Sequence, residues 1–255
     1  MTTNTTSHIS FSELKQWVQC AFYHKLIRVD KISGFRGNEY TAFGTAIHTV
    51  CEKKLLQETV DTDFFIKEFQ KNISELDDFE FPEKKMSEFI DQGKKIIPEI
   101  DDALKEYFTE YEVVAVEQDL MEPIDESYNF KGFIDAVLKT PDGKYHIVDW
   151  KTCSWGWNAR RRSDPMVTYQ LTFYKYFYAK KFNIDPKNIE THFALLKRTA
   201  KTNHVEFFRV TSGPKKTENA LKLLQKALYN IKNKRYIKNR LSCERCEFYQ
   251  TEHCP

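Results

Sequence analysis

Glycine and proline are scarce, with eight of each in 255 residues. A chain so poor in both is not a linker-rich or low-complexity protein. No apolar run approaches the roughly 18–20 residues that a membrane-crossing helix needs, so no membrane partner is expected. The opening MTTNTTSHIS lacks the basic and apolar segments of a secretory signal. The expected location is therefore the cytoplasm (the host's, if the chain is virus-encoded), where disulfides are rare. No internal repeat is visible. Acid is missing from one long stretch: between Glu218 and Glu244 there is no Asp or Glu, while Lys222, Lys226, Lys232, Lys234, Arg235, Lys238 and Arg240 supply positive charge.

What is present is a large apolar and aromatic complement: 41% hydrophobic residues, with 20 Phe and 13 Tyr. This supports a substantial core, in one large domain or one domain with appended lobes. The net charge of +2 says little. Its distribution says more, because Arg160, Arg161 and Arg162 form a second basic knot. A solvated helix face is the ordinary reading of such runs, but two of them around a candidate site point to a polyanionic partner.

Ser10 and Glu13 have capping-box spacing, and Leu14, Trp17, Val18 and Ala21 follow at helical intervals. The pattern predicts a second helix over Phe43 to Gln57 and further helices across 63–109. From Tyr111 it changes to strands: EVVAVEQDL, KGFIDAVLKT, KYHIVDWKT, ETHFALLKRT and HVEFFRVT, interrupted by one aromatic-rich helix near Pro165 to Lys181. A last helix covers Lys215 to Lys232 and precedes a cysteine-rich tail. Helices, then a sheet with one internal helix, then a helix predict an α+β or mixed α/β core. The expected organisation is one domain over 1–255: a helical lobe (1–110), a sheet core (111–212), then a C-terminal helix and tail (213–255).

Pro141-Asp142-Gly143 is a strong turn signal between two strand patterns. A hairpin centred on Asp142 brings Asp135 opposite Asp149. Opposed carboxylates on a sheet repel unless a cation or shared proton lies between them. Lys151, two residues beyond Asp149, points to the same face. Such an oxygen-rich pair suits Mg²⁺ or Mn²⁺. The residues alone equally allow a surface Asp149–Lys151 pair at a strand end, with Asp135 unrelated.

Four elements in order, His48 in GTAIHTV, Gly132 to Asp135 in GFID, Asp149 to Lys151 in VDWKT, and Gln170 to Tyr174 in YQLTFY, resemble the PD-(D/E)XK nuclease superfamily, in its RecB-like exonuclease branch. The resemblance implies a restriction-endonuclease-like fold, a mixed central sheet flanked by helices. It implies that His48, Asp135, Asp149 and the Trp150 carbonyl hold a divalent cation. Lys151 would then position the attacking water and offset charge on the phosphate. Gln170 and Tyr174, four apart on one helix face, would reach the site or the nucleic acid. Taken singly, His48 reads as an ordinary hydrogen-bonded histidine and Gln170 and Tyr174 as helix surface. Glu117 is a further strand carboxylate that a catalytic role would suit.

The tail CERCEFYQTEHCP spaces Cys243, Cys246 and Cys254 as C-x₂-C-x₇-C, a pattern for metal ligation or redox chemistry. Zinc with His253 and an iron–sulfur cluster both fit that pattern, and six free thiols remain possible. Similarity to the four-cysteine members, among them the AddB nuclease domain and CRISPR-associated exonucleases, implies a 4Fe–4S cluster with Cys20 as the distant fourth ligand. The final gap of seven is longer than the usual five in that pattern. Cys51 and Cys153 read as buried thiols. The resulting expectation is a metal-dependent DNA exonuclease acting on single-stranded ends in recombination, repair or replication, with possible protein partners there. Trp155 and Trp157 would stack bases while Arg160, Arg161 and Arg162 contact phosphates. The alternatives are a structure-specific or CRISPR spacer-processing nuclease and a catalytically idle DNA-binding iron–sulfur module.

Overall fold

Ser10 caps the first helix as its spacing predicts, its hydroxyl accepting from the Glu13 amide at 3.2 Å. The Glu13 carboxylate instead meets the buried His24 Nε2 at 2.8 Å. In the computed structural model, which describes residues 6–32, 34, 36–76 and 81–255, the elements follow in order. They are β1 (Ser7–Ser10), α1 (Phe11–Gln19), α2 (Ala21–His24), α3 (Glu39–Leu55), α4 (Thr62–Ser74), α5 (Glu83–Ile96), α6 (Glu99–Phe108), β2 (Glu112–Pro123), β3 (Tyr128–Lys139) and β4 (Tyr145–Cys153). There follow α7 (Ala159–Ser163), α8 (Pro165–Phe182), β5 (Ile189–Lys197), β6 (Val205–Val210) and α9 (Pro214–Lys232). The predicted helices across 63–109 correspond to α4, α5 and α6, with residues 77–80 outside the described set.

Two predicted boundaries differ. The first helix breaks at Cys20, whose backbone is extended (φ −164°, ψ 118°), so α1 and α2 are separate and a π-helical turn Lys25–Val29 follows. The second helix starts four residues early, because Asn38 caps it: its Oδ1 accepts from the Tyr40 and Thr41 amides at 3.0 and 3.1 Å. Thr41 Oγ1 returns the favour by accepting from the Asn38 amide at 2.8 Å. Threonine replaces the usual Glu or Gln in this capping box, which hid it from the sequence pattern.

The chain divides into two compact units. The first combines residues 1–36, 121–132 and 213–255. In it β1 pairs in parallel with the start of β3 (Ile9 with Phe130), and α1 packs on α9. The apolar positions Ala220, Leu224, Ala227 and Leu228 of α9 are buried, which leaves its lysines outward on the helical period.

The second unit holds 37–120 and 133–212. Here β4 is antiparallel to the second half of β3 and parallel to β5, and β6 closes antiparallel on β5. One sheet face packs on α8. The other meets a core of Phe43, Phe65, Phe69 and Phe89 from the helices, with Val148 and Trp150 from β4. Phe43 touches Phe65 edge-on at 5.4 Å between centroids, and Phe65 stacks on Phe69 at 5.9 Å. These geometries are the favourable ones for aromatic pairs. Helices and a mixed sheet, expected from the change of period at Tyr111, are what forms.

Candidate active site

β4 reads Ile147-Val148-Asp149-Trp150-Lys151. Ile147, Val148, Asp149 and Trp150 are essentially inaccessible, Asp149 at 1%. Strand alternation sends Val148 and Trp150 into the aromatic core and Asp149 to the other face. The β3–β4 ladder pairs Ala136 with Val148 and Val137 with Ile147, the register predicted from a turn centred on Asp142. Continued by one residue, it brings Asp135 to Asp149. Beyond the last pair Asp135 takes over the role of a strand carbonyl, its Oδ2 accepting from the Trp150 amide at 2.7 Å. Lys151 Nζ lies 2.5 Å from Asp149 Oδ2. Buried Asp149 Oδ2 is thus held by the Lys151 ammonium, with no other hydrogen-bond partner. From α3, His48 places Nδ1 3.7 Å from Asp135 Oδ2, and its ring bonds the Trp150 carbonyl.

The electrostatics follow from burial. Asp149 and Asp135 are each pushed up to about 6, by burial first, with Lys151 opposing. Each carboxylate is raised further by an acidic neighbour, Asp149 by Asp135 and Asp135 by Glu117. His48 is pulled down to about 4 by burial and by Lys151, so its ring is neutral at pH 7. Burial also pulls Lys151 downward, but Asp149 and Asp135 outweigh it and the ammonium is held above its ordinary value. Glu117, on β2 at a left-handed backbone position (φ 48°), is raised by burial, then by Glu52 and Asp149. Glu52 lies one helical turn beyond His48 and was missed in the sequence. The His-x-x-x-Glu spacing on one helix face was the available signal.

A divalent cation suits this donor set. Three carboxylates and a neutral imidazole influence one another here beside a backbone carbonyl, and the two buried aspartates hold their protons up to about 6. The oxygen-rich composition favours Mg²⁺ or Mn²⁺. These donors lie farther apart than a closed three-ligand site requires.

Gln170 and Tyr174 come to the same carboxylates. Gln170 Nε2 donates to Tyr174 Oη at 3.0 Å, and burial followed by the charge of Asp149 raises the Tyr174 phenol above its usual range. The segment after β4 divides. Trp155 is 76% exposed, and Arg160 and Arg161 face solvent, beside a cleft of about 660 Å³ that Arg161 and Arg198 help line. Trp157 and Arg162 are otherwise engaged. Trp157 is 7% exposed and packs on Phe193 at 5.1 Å. Arg162 binds Glu206 at 2.5 Å and the Trp157 carbonyl at 2.8 Å. An indole packed in a core cannot stack on a base, and a paired guanidinium has less charge to offer a phosphate. Both side chains therefore build the loop.

In the first unit, Cys20 meets the tail. Its Sγ lies 3.3 Å from the Asn239 amide, and Cys243 Sγ lies 3.9 Å from the Asn239 carbonyl. Tyr23 donates to Glu247, next to Cys246, at 2.9 Å. Cys20, Cys243, Cys246 and Cys254 are free and partly exposed; Cys51 is buried as expected, whereas Cys153, expected to be buried too, is partly exposed. Among the described residues, no three tail ligands close to within 4.8 Å. The same holds for Cys20 with Cys243, Cys246 and Cys254, so neither the zinc site nor the iron–sulfur ligand set expected from the sequence is closed in this arrangement.

Comparison with known proteins identifies a family and a similar fold. A family model described as the PD-(D/E)XK nuclease superfamily matches residues 8–251. A solved structure of a candidate exonuclease from Eubacterium rectale is similar in fold: TM-score 0.63, 17% identity, 94% of this chain and 86% of that one. A second, SSO0001, aligns over 95% and 84% with a TM-score of 0.45 and 11% identity. No curated protein matches.

Proposed function

The chain belongs to the PD-(D/E)XK nuclease superfamily, and from that premise we propose a divalent-metal-dependent DNA exonuclease acting on single-stranded ends. The carrying observation is the convergence of Asp135, Asp149 and Lys151 at one end of β4, with His48 beside them. His48, Asp135, Asp149 and the Trp150 carbonyl would hold the cation, with Glu117 close by. When bound, the metal would supply a Lewis acid and a more acidic water. The protein's own contribution is positional and electrostatic. Lys151 stays protonated at neutral pH, and its ammonium offsets negative charge developing on the phosphate. Tyr174, its hydroxyl accepting from Gln170, lies close enough to feel the charge of both aspartates.

Exposed Trp155, with Arg160 and Arg161 immediately after the active strand, supports a single-stranded substrate, because base stacking beside phosphate contact tolerates any sequence. We extend the reading to a 4Fe–4S cluster held by Cys20, Cys243, Cys246 and Cys254. It is supported by four unpaired thiols from the two ends of the chain within one unit. A role in recombination, repair or replication accords with end-directed DNA degradation.

The test is digestion of end-labelled linear single strands, linear duplex and closed circular single strands with Mn²⁺. Linear single strands should shorten fastest and circles should resist. Circles cut as fast as linear strands would refute the exonuclease assignment, leaving an endonuclease.

A further inference from the structure

At the opposite end of β4 from Lys151, a second cluster of ligating side chains takes no part in the chemistry above. β4 and β5 run parallel with His146 beside Glu190 and Val148 beside His192. The two-residue period therefore puts His146, Glu190 and His192 on one face of the sheet. On that face lies α6, whose Phe108 ring is 5.1 Å from His146 and 5.3 Å from His192 between centroids. His146 Nδ1 faces His192 Nε2 at 3.0 Å, and a Glu190 carboxylate oxygen completes a set of three ligand atoms within 4.8 Å of one another. Among the described residues no other group of three His, Cys, Asp or Glu closes so tightly.

The outer nitrogens are also provided for. His192 Nδ1 is 3.1 Å from Tyr107 Oη, and His146 Nε2 is 2.9 Å from Thr140 Oγ1. Both hydroxyls can accept, so each ring can carry its proton outward and turn a lone pair inward. That is the arrangement by which metal-binding histidines are oriented. Without a metal the same atoms are satisfied differently. His192 takes its other tautomer and donates to His146 Nδ1, while the Tyr107 hydroxyl turns to donate to His192 Nδ1. One tautomer exchange and one hydroxyl rotation separate the two states, and no proton has to leave. Burial, helped by His146 and Arg209, holds His192 down at about 3, so its ring is neutral at pH 7.

Access and charge also fit a cation. A cavity of about 390 Å³ reaches His146 from solvent, and Glu110 and Asp142 line it. Glu190 is contacted by Lys144 at 3.6 Å and Arg209 at 3.2 Å. Both cationic side chains are exposed, at 43% and 55%, and Lys144 also meets Asp142 at 3.2 Å, a partner it keeps on leaving Glu190.

We propose that His146, Glu190 and His192 form a second metal site, separate from the acidic site, which takes Zn²⁺ through two imidazoles, one carboxylate and a water from the cavity. Two nitrogens and one oxygen with an open fourth position match zinc, whereas Mg²⁺ prefers oxygen alone. The ion joins β4 to β5 directly and engages α6 through Tyr107. It therefore fastens the helical layer to the sheet.

The test uses the full chain, stripped with chelator and titrated with Zn²⁺, with bound zinc counted by elemental analysis after dialysis. His192→Gln should bind one zinc fewer per chain than wild type and show a smaller zinc-dependent rise in Tm, while Lys222→Ala on the exposed face of α9 keeps both. Co²⁺ in its place should give ligand-field bands that vanish in His192→Gln, with any sulfur-to-cobalt charge-transfer band from the tail unchanged. Tyr107→Phe leaves all three ligands and removes only the outer acceptor. It should weaken zinc about 10–100-fold, and it decides the matter if His192→Gln fails to fold. Equal zinc counts in wild type and His192→Gln, or unchanged affinity in Tyr107→Phe, overturn the proposal.

Discussion

Asp149 is a buried carboxylate whose Oδ2 meets only the Lys151 ammonium, and it is held near 6 because burial outweighs Lys151. Removing its charge should therefore have opposite effects on chemistry and on stability. Asp149→Asn and Lys151→Met should each lower single-turnover cleavage by at least about 10²-fold with DNA binding retained. Near wild-type rates in both Mg²⁺ and Mn²⁺ would remove these residues from the mechanism. A carboxylate whose folded pKa is raised from 3.8 to about 6 loses stability as pH climbs through that window and does not recover it above. At pH 7.5 the metal-free Asp149→Asn protein should thus be more stable than wild type by about 1–3 kcal/mol, read from urea unfolding in EDTA. The same shift predicts proton competition for the metal. As pH falls from 7.5 to 5, Asp135 and Asp149 both take up protons and Mn²⁺ affinity should drop about 10–100-fold. Calorimetry showing a flat profile would mean that these carboxylates are not the ligands.

At the scale of elements, α7 shows how neighbouring arginines acquire different roles. Asn158 caps α7 by accepting from the Arg161 amide at 2.9 Å. Arg162 then points back to Glu206 on β6, while Arg160 and Arg161 remain outward. Replacing Arg160 and Arg161 with Ala should weaken single-strand binding and flatten the slope of log affinity against log salt by about 1.4, some 0.7 per phosphate contact. Arg162→Ala should leave that slope nearly unchanged and lower Tm, because Glu206 and the Trp157 carbonyl lose their partner. Fluorescence titration across salt concentrations, beside thermal melts, distinguishes the two classes. A larger slope change in Arg162→Ala would reverse the assignment.

At the scale of the molecule, Cys20 and the tail share one unit although 222 residues lie between Cys20 and Cys243, which opens the tail motif. A cofactor bridging them would close a loop of nearly the whole chain, restricting the unfolded state and coupling metal content to folding. Cys20→Ala should therefore lose iron and melt lower as severely as Cys246→Ala, whereas Cys51→Ala, changed in the core of the other unit, keeps its iron. Protein purified without oxygen should be brown and carry about four irons per chain, as a 4Fe–4S cluster requires. Full iron content in Cys20→Ala would reduce the tail to a local site.

The hairpin register, the facing of Asp135 and Asp149, and the fold class were legible in the sequence, because turn chemistry and strand alternation are local and a two-residue period leaves no freedom once a turn is placed. The break at Cys20, the fate of Trp157 and Arg162, and the meeting of His146 with His192 were not. Each depends on a partner far along the chain: Asn239 for Cys20, Glu206 for Arg162, and a parallel strand 44 residues on for His146. Local pattern fixes which face a side chain takes. Only packing between distant segments decides whether that side chain is buried, paired or left free to react.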